Sequence, residues 1–157
     1  ASIRIKKVRI IIQRVTEAII IIDKAIHTSI GPGLCVLVGI GINDDEADAD
    51  WIISKLVQIR IFSDENDKMN FNVSEINGEI LLVSQFTLFA STKKGNRPGF
   101  SDSAKPEIGK KLYDYFCEQA ENRIPGKIRT GIFGADMQIK LTNDGPVTIV
   151  MDSKNRE

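Results

Sequence analysis

The sequence feature that most limits the fold is a series of short apolar runs rich in isoleucine and valine. They fill much of the first forty residues as VRIIIQRV (8–15), EAIIII (17–22), AIHTSI (25–30) and LCVLVGI (34–40). β-Branched residues favour extended backbone, and such runs bounded by glycine or proline predict strands. The Gly-Pro-Gly segment at 31–33 predicts a turn before the fourth run. No run is long enough to span a bilayer. The chain is therefore expected to begin as a β-sheet.

Two later segments have helical periodicity instead. The apolar positions of the first are Ala49, Ile52, Ile53 and Leu56, after an acidic stretch that suits a helix N-terminus. The second is predicted over 104–121, with a stripe of Ile108, Leu112, Tyr115 and Phe116. Residues 80–90 (ILLVSQFTLFA) form the longest strand candidate, and MQIKL and VTIVM near the C-terminus alternate as strands do. This order predicts an α+β fold with a mostly antiparallel, barrel-like sheet and two packed helices.

The chain of 157 residues is expected to form one domain over residues 8–152, with an extension at 1–7 and a tail at 153–157. Its 21 basic and 21 acidic residues cancel. A neutral protein is not expected to coat long nucleic acids, but it can bind a single nucleic-acid end. The N-terminus does not have the pattern of a signal peptide or anchor, and two isolated cysteines predict reduced thiols, so a cytoplasmic protein is expected.

The residues needed for several common kinds of catalysis are missing from the sequence. His27 is its single histidine and is predicted to lie in a hairpin away from the polar motifs. A Ser-His-Asp hydrolase would depend on that one residue as its base. The sequence contains no Walker loop, GxGxxG or HExxH motif. We therefore expect neither a metal nor a cofactor.

Polar residues interrupt one of the apolar strands. Ser84, Gln85 and Thr87 lie within ILLVSQFTLF. If the strand continues through them, Gln85 and Thr87 share one face and Ser84 lies on the other. Taken alone, the pattern favours a sheet with one solvent-exposed face, and a functional site is the alternative.

The hexapeptide NDGPVT, at 143–148, separates the two C-terminal strand segments. Pro146 has no N–H to donate to a sheet and is tolerated only at a strand start, an edge or a bulge. A trans Gly145–Pro146 turn is one interpretation. A cis bond, which costs only about 0.5–1 kcal/mol before proline, is the other. It would turn the flanking carbonyl groups in a direction that an ordinary hairpin does not allow.

SQFTL (84–88) and NDGPVT occur together, about sixty residues apart along the chain. Around them stand IIQRV, GPGLCVLVGI, TKKGNRP and FGADMQ. This combination resembles the D-aminoacyl-tRNA deacylases, and the similarity extends over residues 8–152. It implies the fold of that family and hydrolysis of the ester between a D-amino acid and the 3′-terminal adenosine of tRNA, with glycyl-tRNA as a secondary substrate.

The resemblance also implies an assembly and a means of selecting the substrate. The protein would be a homodimer with two sites at the subunit interface. The bond between Gly145 and Pro146 would be cis, and its loop would reach into the site of the partner subunit. There the backbone carbonyl groups would reject L-amino acids by steric clash while tolerating many side chains.

Residue roles follow from the same resemblance. Ser84, Gln85, Phe86 and Thr87 match the first motif, and the main-chain N–H groups near Phe86 and Thr87 are candidate oxyanion donors. The tRNA 2′-hydroxyl is the favoured activator of water, and Thr87 as nucleophile is the alternative. Residues that match supporting positions are Asn143 and Thr148, which would fix the loop, and Phe133, Ala135 and Met137, which would line a pocket or belong to the core.

Lys93, Lys94 and Arg97 match a basic loop expected to contact tRNA phosphates, with a plain solvated loop as the alternative. The sequence leaves two rival functions open. One is a relative with relaxed chiral selection, and the other is a catalytically silent dimeric module that binds RNA ends. Intact SQFT and NDGPVT motifs argue against the silent module.

Overall fold

The computed structural model describes residues 8–156, so the predicted extension at 1–7 lies outside the described residues. The strands are β1 (Arg9–Ile22), β2 (Ala25–Ile30), β3 (Gly33–Gly39), β4 (Phe62–Ser63), β5 (Met69–Phe71), β6 (Glu79–Ser84), β7 (Ile128–Thr130) and β8 (Gln138–Asp152). The helices are α1 (Glu46–Gln58) and α2 (Pro106–Arg123), and Phe86–Phe89 forms a 3₁₀ turn, called the 86–89 turn below.

Strand β1 is the centre of the sheet and is one strand where the sequence predicted two. Strands β2 and β3 both lie antiparallel along the same edge of β1, with Ala18 opposite Ile30 and Val15 opposite Gly33. The chain therefore continues in one direction through residues 31–33, and the turn expected there is wrong. Strand β8 pairs with the other edge of β1 along nearly its whole length.

The far side of the sheet is parallel. Strand β6 pairs with β3, and β7 pairs with β6, in parallel register. Helix α1 lies in the crossover from β3 to β6, and α2 lies in the crossover from β6 to β7, the connection that parallel neighbours require. The nearly closed, barrel-like sheet with two helices confirms the predicted fold, except that it is mixed rather than mostly antiparallel.

Both helices were predicted close to their observed positions. In α1 the four predicted apolar residues are buried, and Asp45 and Asp48 form a reciprocal capping box at its start. In α2 the buried residues are Gly109, Leu112, Tyr113, Phe116 and Ala120. Ile108 is 57% exposed, so its assignment to the apolar stripe is wrong. The buried face follows spacings of three and four from Gly109, which leaves Ile108 one position off that face.

The sheet has an apolar cluster on each face. Alternate residues of β3, such as Leu34 and Val36, pack with both helices, whereas Cys35 and Val15 belong to the cluster on the opposite face. Ile139 and Leu141 of β8 cover that second cluster. Because successive side chains of a strand point to opposite faces, one sheet contributes to two separate apolar clusters. The half-buried alternation predicted for MQIKL and VTIVM is confirmed.

Both cysteines are free thiols, as predicted. Burial raises the pKa of Cys35 to about 11 and that of Cys117 to about 12, so both remain protonated and poorly nucleophilic at neutral pH. Neither α1 nor α2 combines the length and apolar character that a helix needs to cross a bilayer.

Candidate active site

The first motif forms a turn at the carboxyl end of β6. The strand ends at Ser84, and the last ladder bond runs from the Gln85 N–H to the Val38 carbonyl oxygen at 2.8 Å. The chain then curls, because Leu88 N–H donates to Gln85 O and Ala90 N–H donates to Thr87 O, at 3.3 and 3.0 Å. The prediction of a strand over 80–90 is therefore wrong beyond Ser84. Gln85 and Thr87 do not share a strand face.

The 86–89 turn packs directly on the backbone of β3 at Gly39. A Cβ atom at this position would lie 3.0 Å from Leu88 Cβ, 3.0 Å from Phe89 Cε2 and 3.2 Å from the Gln85 carbonyl oxygen. Gly39 therefore allows a close approach that other residues would obstruct. The sequence reasoning missed this residue, although GPGLCVLVGI was part of the family resemblance.

Two side chains from elsewhere hold the carbonyl groups of the turn. Ser103 Oγ donates to Phe86 O at 3.0 Å, and Arg9 Nη1 donates to Leu88 O at 2.8 Å. Arg9 Nε also donates to Asp152 Oδ1 at 2.9 Å, which fixes the guanidinium. The N–H groups of Phe86 and Thr87 come before the first bond of the turn and have no acceptor within it. These two N–H groups are therefore not used by the hydrogen bonds of the turn itself.

The side chains of the motif offer hydrogen bonds rather than a general base. The Gln85 amide Nε2 contacts Thr87 Oγ1, and an amide cannot take a proton from a hydroxyl group. His27 is exposed and its ring Nε2 lies 3.1 Å from Thr130 O on β7. This contact is with a backbone carbonyl group and not with a residue of either motif.

The segment 131–137 leaves β7 beside the end of β6, where Gly131 N–H donates to Leu82 O at 3.0 Å. Its three predicted site residues, Phe133, Ala135 and Met137, are all half-buried. The Phe133 ring packs 5.9 Å from that of Tyr113 on α2. The carboxyl ends of the parallel strands β3, β6 and β7 therefore meet at one place, as at ligand sites of other parallel sheets.

The second motif is a bulge within β8 and not a turn between two strands. Gln13 lies opposite Thr148, whereas Val15 lies opposite Asn143, so β8 has three extra residues at this point. The Gly145–Pro146 bond is cis, as the resemblance implied. Asn143 closes the base of the bulge: its Oδ1 accepts from Val147 N–H at 2.7 Å, and its Nδ2 donates to Thr148 Oγ1 at 2.9 Å.

Arg14, which lies in the IIQRV segment and had no predicted role, anchors the bulge. Its Nε donates to Asp144 O at 2.9 Å, and its Nη1 donates to Ile61 O at 2.7 Å. Arg14 and Arg9 are five residues apart on β1, which corresponds to about 16 Å, and their side chains leave opposite faces. Within one chain, the bulge and the 86–89 turn are therefore separate.

The basic loop forms a small hairpin between the turn and α2. Ser91 and Gly99 exchange backbone hydrogen bonds, each of 2.8 Å, and residues 91–99 are all exposed. Lys93, Lys94 and Arg97 lie within it. We call residues 91–99 the basic hairpin.

Asp44 lies at the same end of the sheet. Its Oδ2 accepts a hydrogen bond from Gly41 N–H, and Gly41 forms a bridge with Ser103, which holds the turn. Burial raises the pKa of Asp44 to about 7, against an opposing effect of the Gly41 hydrogen bond. Sequence reasoning assigned Asp44 to a helix N-terminus and missed its position behind the site.

A model of the family described as D-Tyr-tRNA(Tyr) deacylase matches residues 11–152. The chain belongs to this family. A relative from Cytophaga hutchinsonii, named D-aminoacyl-tRNA deacylase, is 56% identical over 94% of this chain and 98% of its own length. A relative of the same name from Flavobacterium psychrophilum is 52% identical over 95% of this chain and 99% of its own.

Two solved structures resemble this member of the deacylase family. One, described as c-Myc DNA Unwinding Element Binding Protein, has a TM-score of 0.87 and 38% identity, covering 91% of this chain and 97% of that one. The other, described as a probable eukaryotic D-amino acid tRNA deacylase, has a TM-score of 0.80 over 93% of this chain and 99% of that one. At 17% identity, the second supports the fold alone.

Proposed function

We infer that this chain is a D-aminoacyl-tRNA deacylase, a hydrolase that cleaves the ester between a D-amino acid and the 3′-terminal adenosine of tRNA. The observation that carries this conclusion is the match to near-full-length relatives of that name at 52–56% identity. The products are free tRNA and a D-amino acid. Because the substrate arises during translation, we propose the cytoplasm as the place of action.

The chemistry proposed for the site needs little from side chains. An aminoacyl ester is already activated, so the protein must position it and stabilise the oxyanion. The N–H groups of Phe86 and Thr87 would donate to that oxyanion. Ser84 and Gln85 would orient the ester at the entry to the turn. The tRNA 2′-hydroxyl would activate water. This route is favoured over Thr87 as nucleophile because the Thr87 hydroxyl group contacts the Gln85 amide, which cannot act as its general base.

Chiral selection is proposed for the bulge of β8. Gly145 and Pro146 are exposed at its tip, while Asn143, Thr148 and Arg14 hold its base. A selector made of backbone atoms contacts the groups on Cα without reading the side chain. Glycine is achiral, so this selector cannot reject it, and glycyl-tRNA is the proposed secondary substrate.

A homodimer is proposed because the bulge and the turn of one chain are separate. A bulge that tests the substrate must then reach the turn of a partner subunit. The exposed sheet face supports this arrangement: Leu37, Ile11 and Val150 form an apolar row across β3, β1 and β8. Val150 is 59% exposed, and β1 is the one strand that β8 pairs with among the described residues. A long unpaired edge strand is a ready site for association.

The segment 131–137 and the basic hairpin complete the proposed substrate site. Phe133, Ala135 and Met137 are half-exposed beside the end of β6, where the terminal adenosine would lie. Phe133 packs on Tyr113 and Met137 lies against Gly131, so these two residues have a structural role as well. The cations of the basic hairpin would contact tRNA phosphates.

The function is tested by incubating the protein with matched D-, L- and glycyl-tRNAs and following loss of the aminoacyl ester. We expect rapid hydrolysis of the D-aminoacyl ester, slower hydrolysis of the glycyl ester and none of the L-ester. Equal hydrolysis of the D- and L-esters would instead indicate the relative with relaxed chiral selection. No hydrolysis of any ester would indicate the silent RNA-binding module, which the comparisons do not favour.

A further inference from the structure

The side chain of Phe86 has no evident role in the chemistry proposed for its backbone. The turn is held by Ser103, Arg9 and the contact with Gly39, all of which act on other atoms. The Phe86 ring is nevertheless 59% exposed, which is unusual for a large apolar side chain beside a site. It needs a separate explanation.

The exposed ring is held in place by a second aromatic residue. The ring of Phe100 meets that of Phe86 edge to face, with centroids 4.9 Å apart and planes at 68°. This is a favoured geometry for aromatic pairs. It fixes the orientation of the Phe86 ring while leaving much of its surface open to a ligand.

The segment that leads into Phe100 is basic. Phe100 directly follows the basic hairpin, and residues 91–100 contain three basic residues and no acidic one. The salt bridges found within residues 8–156 involve none of Lys93, Lys94 and Arg97. An aromatic face beside unneutralised cations is the combination that binds single-stranded nucleic acid, through base stacking and phosphate contacts.

We propose that the Phe86 ring stacks on an unpaired base of the tRNA 3′ end, upstream of the terminal adenosine, while the basic hairpin contacts the flanking phosphates. This proposal rests on the proposed function for the choice of RNA. The geometry fits, because the Phe86 N–H group faces the ester in that function and its ring extends to Phe100 at the base of the cationic hairpin. One residue would thus contact both the reacting ester and the adjoining nucleotide.

Binding of uncharged RNA tests the stacking independently of hydrolysis. The probe is a labelled CCA trinucleotide, and its Kd is measured for the wild type, Phe86→Ala, Phe86→Leu and Phe86→Tyr. Loss of one stacked base should weaken binding about 5- to 150-fold in the Ala and Leu variants. Phe86→Tyr keeps a ring and should bind nearly as the wild type does. Met69→Ala removes an equally exposed apolar side chain on β5 and is the matched control.

Kinetics locate the stacked base. The KM of Phe86→Ala is measured with D-aminoacyl-tRNA and with the D-aminoacyl ester of adenosine, which has no upstream nucleotide. We expect the increase in KM to be at least about five times larger for the tRNA. An equal increase in KM for both substrates would overturn the proposal. So would a Phe86→Leu variant that binds CCA as tightly as Phe86→Tyr does.

Two further outcomes separate the rival explanations. If Phe86→Ala converts a dimer into a monomer, the ring is covered by a partner subunit and the stacking proposal is wrong. If the wild type hydrolyses no ester but binds CCA through an aromatic residue at 86, the proposed function fails and the stacking site stands.

Discussion

Asp44 is a half-buried carboxyl group whose titration should make the stability of the fold depend on pH. Its Oδ1 atom has no hydrogen-bond partner within residues 8–156 and is shielded from solvent, while its Oδ2 accepts from Gly41 N–H. Burial is the main cause of its raised pKa, about 7, and the nearby Asp48 and Asp45 act in the same direction. Lys154 opposes them but is already bound to Asp48 at 2.7 Å. The folded state therefore favours the protonated form of Asp44.

This preference predicts a pH-dependent effect of Asp44→Asn. A carboxyl group with a raised folded pKa contributes its full stability below its unfolded pKa, near 4, and loses it as pH rises through about 7. The amide mimics the protonated form, so the variant should gain stability over the wild type as pH rises from 5 to 8. After allowance for partial exposure, we expect a gain on the order of 1–2 kcal/mol.

Urea unfolding at pH 5, 6, 7 and 8 measures this gain. Ser74→Ala, an exposed change without a titrating group, is the control and should shift stability equally at every pH. A constant difference between Asp44→Asn and the wild type across this range would show that Asp44 is already ionised in the folded protein.

The 86–89 turn is the element on which the proposed chemistry depends, and it is shaped by residues distant in sequence. Its carbonyl groups are held from β1 and from the loop before α2, and it rests on Gly39 of β3. Preorganised N–H donors contribute most when their geometry is fixed before the substrate arrives. A displacement of about 1 Å can therefore reduce the rate by about 100-fold.

Gly39→Ala tests this dependence. The added methyl group would lie 3.0 Å from atoms of Leu88 and Phe89, so the turn must shift. We expect kcat to fall by about 10- to 100-fold and stability to fall by about 1–3 kcal/mol. Measured D-aminoacyl-tRNA hydrolysis and urea unfolding report the two effects. Gly31→Ala, where a Cβ meets nothing within 4 Å, is the matched control. Wild-type activity in a folded Gly39→Ala protein would show that the turn is not the oxyanion site.

Local signals explain which elements were predictable from sequence. The apolar residues of α1 and the alternation in β8 depend on the period of a single segment, and both were predicted correctly. The end of β6 at Ser84 was not, because FTLF has strong strand propensity that the contacts of Arg9 and Gly39 override. Ile108 was misplaced because one apolar residue beside a stripe hardly changes the periodicity.

The site required more than periodicity. The family motifs identified Ser84 to Thr87 and Asn143 to Thr148, but no pattern indicated that Ser103 supports the turn. Arg14 and Arg9 each contact backbone carbonyl groups 47 to 130 positions away, and such pairings cannot be read from one sequence. Parallel pairing of β6 and β7 was likewise missed, although a helix precedes each of these strands.

At the scale of the whole molecule, one chain contains both motifs but does not bring them together. The bulge contacts Arg14 and the turn contacts Arg9, on opposite faces of β1. The apolar row of Leu37, Ile11 and Val150 ends at the unpaired edge of β8, beside neither helix. Association through this face would bury the exposed 59% of Val150, worth about 1–2 kcal/mol for each subunit. It would also allow the bulge of one subunit to approach the turn of the other.

Val150→Glu should therefore disrupt both assembly and activity. A carboxylate at this position would be desolvated in the interface, and two copies would repel each other across a symmetric contact. We expect a folded monomer by sedimentation and circular dichroism, with hydrolysis of D-aminoacyl-tRNA reduced by about 100-fold or more. Ile26→Glu, which changes a 69% exposed isoleucine on β2, is the matched control and should remain dimeric and active. A monomeric Val150→Glu protein with full activity and unchanged D-over-L selectivity would show that each chain holds a complete site, and the bulge would then need another role.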